Sequence, residues 1–145
     1  MTDLVLENAQ KIVAASIAYG REKKLNLLAV AVLDARGALK SFSAEDGTSL
    51  KRGEVAIGKA HAALAFGMGT RSIDKLAKAR PYFINSVTAA VGGSFVPVAG
   101  GVLIKDGDGR VLGAVGISGD VSDNDEAAAV AGIKAAGFTA DPGSD

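Results

Sequence analysis

Residues 101–118 constrain this chain more than any other stretch. Two aliphatic runs, Gly101-Val-Leu-Ile-Lys105 and Arg110-Val-Leu-Gly-Ala-Val-Gly-Ile-Ser118, flank Asp106-Gly-Asp-Gly109. Glycine takes positive φ at no steric cost, so an Asp-Gly turn between two apolar runs signals a hairpin. The chain is thereby committed to an antiparallel pair. A second hairpin is read upstream, where the aliphatic run Leu27–Asp34 leads through Ala35-Arg-Gly37 into Ala38–Ala44. Phe95–Val98 is a further candidate strand, irregular or at an edge because Pro97 cannot donate to a ladder.

Helices fill the space between. Asp3–Lys23 is amphipathic, with Leu4, Ile12, Ala15 and Tyr19 close to one face. A second helix starts near Thr48 or Ser49, either of which could cap it, runs to Phe66 and ends at Gly67-Met68-Gly69. Thr70 would cap a short helix over Arg71–Ala79 that stops before Pro81. Tyr82–Val91 is ambiguous, a helical turn leading into a loop. The last helix begins near Ser122, with Ser122 and Asp125, or Asp123 and Glu126, placed as a capping box. The order implies an α+β domain over residues 1–138: an antiparallel sheet of about five strands with helices packed on its faces. Residues 139–145 are expected to form a flexible C-terminal tail.

At 145 residues the chain can bury a sizeable core, built from Ala, Val, Leu and Ile since aromatics are only 5%. Lys+Arg and Asp+Glu are 16 each, so no basic footprint for nucleic acid is present and self-repulsion is weak. A homo-oligomer is expected. The absence of cysteine excludes disulfides, thiolate metal sites and a thiol nucleophile. No apolar run approaches a membrane span, and acids stand early in the sequence where an export signal would carry positive charge. A cytoplasmic location is expected.

Four places could carry chemistry. His61 is the only histidine; it cannot build a multi-histidine zinc site but could serve as an axial haem ligand, or be an ordinary helix-surface histidine. Arg52 and Lys59 are about two helical turns apart and leave one face, which suits a carboxylate, a phosphate or a haem propionate, or a solvated basic face. Lys59 stands among Ala56, Ile57, Ala60, Ala62 and Ala63, where a charge needs a partner or a ligand. Gly100-Gly101 before a strand lets a ligand or another backbone come close. Asp125 and Glu126 complement the helix dipole, or one of them, Asp125 or Glu126, turns inward as a general base or as counter-charge to Lys59. No dinucleotide fingerprint, P-loop or nucleophile elbow is present.

Taken in order, Val30-Ala-Val-Leu-Asp34-Ala-Arg-Gly37, Asp46-Gly47, Ile57-Gly-Lys59-Ala60, Phe66-Gly67, Val96-Pro97-Val-Ala-Gly100-Gly101, Gly113-Ala-Val-Gly116-Ile-Ser118-Gly119 and Asp125-Glu126 resemble the GlcG/HbpS-like family, also known as a haem-degrading domain and similar to the PduO C-terminal domain. The resemblance spans nearly the whole chain. It implies a profilin-like three-layer fold, frequent homo-oligomers, and haem or a corrinoid as ligand in some members. It also implies that Lys59, Gly100, Gly101 and Asp125 with Glu126 border one pocket; His61 is not a position it carries over.

Three functions follow as alternatives. One is a small-ligand protein binding haem or another tetrapyrrole, with Arg52, Lys59, His61, Gly100, Gly101 and Ser118 as binding residues. Another is a cofactor-free isomerase, tautomerase or hydratase acting on a small carboxylate or carbonyl compound in a catabolic pathway, with Lys59, Glu126 and Asp125 as catalytic residues. The last is a non-catalytic oligomeric accessory subunit.

Overall fold

The computed structural model describes residues 3–145. Its elements in chain order are α1 (Leu6–Glu22), β1 (Ala29–Asp34), β2 (Leu39–Ala44), α2 (Arg52–Phe66), α3 (Thr70–Ala79), α4 (Pro81–Ala90), β3 (Gly101–Lys105), β4 (Val111–Ser118), α5 (Ser122–Ala135) and β5 (Thr139–Asp141). The strands make one antiparallel sheet in the order β2-β1-β4-β3-β5. Helices α1 and α5 cover one face and α2 the other, so the α+β reading holds. No helix among the described residues is long and apolar enough to cross a membrane.

The central strands alternate by size rather than by polarity. Val30, Val32, Val102, Ile104, Val115 and Ile117 point to α1 and α5, where they pack on Ile12, Val13, Ala129 and Ile133. Burying each such aliphatic side chain contributes roughly 1.5–3 kcal/mol. The intervening residues are mostly small: Ala29 and Ala31 meet Ala56, while Ala114 lies with Ala60 and Ala63 beside the larger Leu33 and Leu103. Across the sheet Ala31 pairs with Gly116, and Gly116 with Gly101. A Cβ on Gly116 would fall 1.8 Å from the Ala56 carbonyl oxygen, and one on Gly101 2.4 Å from that of Lys59. Helix α2 therefore rests its backbone on the backbone of the sheet.

Several local expectations differ from the structure. Phe95–Val98 is not a strand, because the Val96 N–H donates to Gly58 O of α2 (3.1 Å) instead of to a ladder. The fifth strand comes from the segment expected to fray. Thr139–Asp141 pairs with Lys105, Ile104 and Leu103 along the open edge of β3, and Lys105 clasps Asp141 at 2.7 Å. Beyond it, Pro142 and Gly143 lie against Gly69, and the Arg71 N–H donates to Pro142 O. Pro81, preset for a first helical turn, opens α4, so the ambiguous Tyr82–Val91 stretch, read as a helical turn leading into a loop, is helical as far as Ala90. Thr70 does not cap α3, whose N-cap is Gly69. Its hydroxyl accepts from Gly101 N–H (2.7 Å), covering the part of the β3 edge that β5 does not reach. Nor does α2 start at Thr48 or Ser49, its N-cap being Lys51.

Candidate functional site

The seating of α2 decides where Lys59 goes. Its side chain passes the ends of β3 and β4, and Nζ donates to Ile117 O (2.9 Å) and to Asp125 Oδ2 (3.2 Å). Gly100, at φ +123°, leaves the room: a Cβ there would stand 2.8 Å from Nζ. Asp125 turns inward from the first turn of α5, and its other oxygen accepts the Asp120 N–H at 2.9 Å. No capping box forms; the N-cap is Val121, without a side-chain cap. Asp120 in turn accepts from Asn26 N–H, which holds its carboxyl below the usual range.

Burial dominates the electrostatics of the pair. It pulls the Lys59 ammonium below its ordinary pKa, and the Asp125 charge only partly opposes this. It pushes the Asp125 carboxyl up against the opposing pull of Lys59. Lys59 is 2% exposed and Asp125 1%. Lys59, Gly100 and Asp125 thus converge, but around a sealed ion pair and not around the cavity that was expected. Arg52 ends beside them: its Nη1 donates to the buried Ser118 hydroxyl at 3.2 Å, and its charge lowers the Lys59 pKa further. The two cations that leave one face of α2 terminate on consecutive residues of β4.

Glu126 does not join this pair. One position along α5 its carboxylate faces Arg71 of α3, which it receives at both oxygens from Nε (3.0 and 2.9 Å) and again from Nη2. Arg71 also holds Asp123 and, at 3.1 Å, Asp145. These bonds, Glu126 first, push the guanidinium pKa still higher and keep it charged. Sequence reasoning missed Arg71, whose three carboxylates lie 52–74 positions away. The only cue was a cation at the start of a helix, where the dipole disfavours it unless acids are near.

Several open concavities lie outside the buried pair: one of about 500 Å³ is bordered by Tyr19, Glu126 and Val130, and the most apolar lies elsewhere on α2. A groove of about 440 Å³ runs between the first turns of that helix and residues 93–96, walled by Ile57, Phe95 and Val96 with Lys51 and Glu54 at its rim. Gly58 forms its floor, where a Cβ would meet Val96 Cγ2 at 2.6 Å. Phe95 anchors the far wall, its ring edge-on to Phe66 at 5.3 Å. One helical turn on, half-buried His61 places Nδ1 2.6 Å from Ser94 O. A carbonyl can only accept, so Nδ1 carries a proton, and the tautomer that keeps a lone pair for a metal presents it at Nε2. Among the described residues no group of three or more His, Asp or Glu forms a metal site.

The family description "Haem degrading protein HbpS-like" matches residues 4–134. The chain belongs to this HbpS-like family. Its fold is that of the PduOC:haem complex (TM-score 0.84, 22% identity, 94% of this chain and 97% of that one) and of the Klebsiella pneumoniae protein ORFY (0.82, 21%, 94% and 92%). HbpS superposes with a TM-score of 0.79 at 27% identity, over 92% of this chain and 90% of its own. No curated protein sequence matches significantly.

Proposed function

We propose that this HbpS-like chain binds haem, or another flat tetrapyrrole bearing carboxylates, in the groove between α2 and residues 93–96. The observation that carries the reading is His61. Its Nδ1–H donates to a backbone carbonyl on the groove wall, the arrangement that orients an imidazole for metal ligation through the other nitrogen. The groove is of ligand size and largely apolar, as a porphyrin face requires. Lys51 at its rim would exchange its Glu54 partner, now at 3.0 Å, for a propionate. His61 would hold the iron, Ile57, Phe95 and Val96 would exclude water, and the bound group would supply the redox chemistry. The kinship with HbpS and the haem complex of a similar fold support this choice of ligand.

Burial weighs against the cofactor-free enzyme reading, since Lys59 and Asp125 meet no substrate without the fold opening. In the haem reading Lys59, Gly100, Gly101, Asp125 and Glu126 act as scaffold, with Arg52 and Ser118 outside the groove. The expected homo-oligomer and cytoplasmic location remain part of the proposal. Leu39 and Phe42, exposed on the unpaired edge of β2, favour association, and light scattering tests it.

Haem titration tests the main claim. A saturable Soret shift is expected, with affinity at least tenfold weaker (about 1.4 kcal/mol) in His61→Ala. No shift in the wild type, or an unchanged affinity in the variant, would overturn it.

A further inference from the structure

Of the two sheet edges β2 is the longer, six residues against three in β5, which runs into Pro142. Among the described residues β2 pairs with β1 alone. Glu45 N–H donates to Leu28 O (2.9 Å), so those two residues form a hydrogen-bonded pair of the β1–β2 ladder. Such pairs alternate along antiparallel strands. Ser43 therefore turns its main-chain groups to Val30 of β1, while Phe42 and Ala44 turn theirs away from the sheet. Phe42 is fixed beside this open edge. Its ring lies on Gly53 of α2, where a Cβ would come within 2.9 Å of Cζ, yet it stays 39% exposed. Charges stand at both ends of the strand. Lys40 lies near its start and Asp46 just past its end, and neither has an ionic partner among the described residues. A lysine on an edge ordinarily repels a second strand; here the same strand carries the counter-charge at its other end.

We propose that β2 pairs antiparallel with β2 of a second copy of this chain, about a twofold axis at Ser43. This deepens the homo-oligomer reading above and rests on it, while standing apart from the choice of ligand. In that register Phe42 of each copy exchanges main-chain hydrogen bonds with Ala44 of the other, a large side chain facing a small one. Lys40 comes opposite Asp46. A twofold contact uses the same patch twice, so it must be complementary to itself. This strand meets that demand in backbone, in side-chain size and in charge, whereas parallel pairing would set lysine beside lysine. With 16 basic and 16 acidic residues, no net repulsion opposes the contact.

The chain has no cysteine, so a single introduced thiol reports this pairing alone. Opposed residues of a non-hydrogen-bonded pair stand about 4.5 Å apart at Cα, within disulfide reach. Ser43→Cys should therefore yield a disulfide-linked dimer as its major species on mild oxidation. Ser41→Cys, whose two copies would lie about 13 Å apart, should yield about tenfold less. Phe42→Lys, with its fold checked by circular dichroism, should raise the dissociation constant in sedimentation about tenfold. If that variant does not fold, the two cysteine variants decide. Equal cross-linking at both positions, none at Ser43, or unchanged association of folded Phe42→Lys overturns the edge pairing. Should the wild type then still sediment as an oligomer, the homo-oligomer reading survives without it; a monomeric wild type ends both.

Discussion

Asp125 and Glu126 are consecutive residues of α5, yet their carboxylates end in opposite surroundings. Asp125 is sealed between α5 and α2 against one ammonium, with burial driving both partners toward neutrality. Glu126 shares a guanidinium with Asp123 and Asp145, which are 77% and 88% exposed, so water can replace any one partner. The two sites are both ion pairs on paper. What separates them is whether a lost partner can be replaced by solvent, and this decides how much each is worth.

The largest effect should come from orphaning the buried ammonium. Asp125→Ala is expected to cost about 3–5 kcal/mol, a drop in Tm of roughly 10 °C by thermal denaturation. Replacing the pair together, as Lys59→Met with Asp125→Leu, should recover most of that loss, because two well-packed apolar groups need no partner. A double variant as unstable as Asp125→Ala would show that the pair is needed for more than charge balance. Glu126→Gln should cost about 1 kcal/mol, since Arg71 keeps Asp123, Asp145 and water; a loss as large as that of Asp125→Ala would erase the contrast.

A pH titration sharpens it further. Asp125 has a raised folded pKa, so its share of stability falls as pH climbs from the unfolded value of 3.8 through the folded one. Lys59 has a lowered folded pKa, so in the window from that value up to 10.5 the unfolded chain binds more protons and stability rises with pH. Urea denaturation across pH should therefore show the wild type, relative to the double variant, dipping in mid-range and recovering at both ends. The smallest effect is ionic: 1 M salt should weaken the Arg71 cluster by a few tenths of a kcal/mol, read as a smaller Glu126→Gln penalty, and leave the sealed pair unchanged.

Much of this was legible in the chain. The Asp-Gly hairpin, the aliphatic run of β1 and the need of Lys59 for a partner are local signals, and each led to an element or contact that the structure contains. The missed parts are long-range. Thr139–Asp141 is too short and polar to announce a strand, and pairs only because β3 offers an unfilled edge. Asp125 and Glu126 were read as one group because sequence cannot say which flank of α5 meets α2 and which meets α3. The groove by His61 was invisible for the same reason: its walls come from segments more than thirty residues apart, joined by one side-chain and one backbone hydrogen bond.

The glycine row beneath α2 has a mechanical consequence. Where two backbones touch, there are no rotatable side chains between them to take up a displacement. Helix α2 thus behaves as a rod bolted to a plate, and the 59-to-61 interval that separates the buried pair from the groove is a fixed gauge. Evolution or design can retune the aliphatic face under α1 and α5 by trading volumes, but where Gly101 and Gly116 touch α2 it can only keep the smallest residue or shift the rod as a whole.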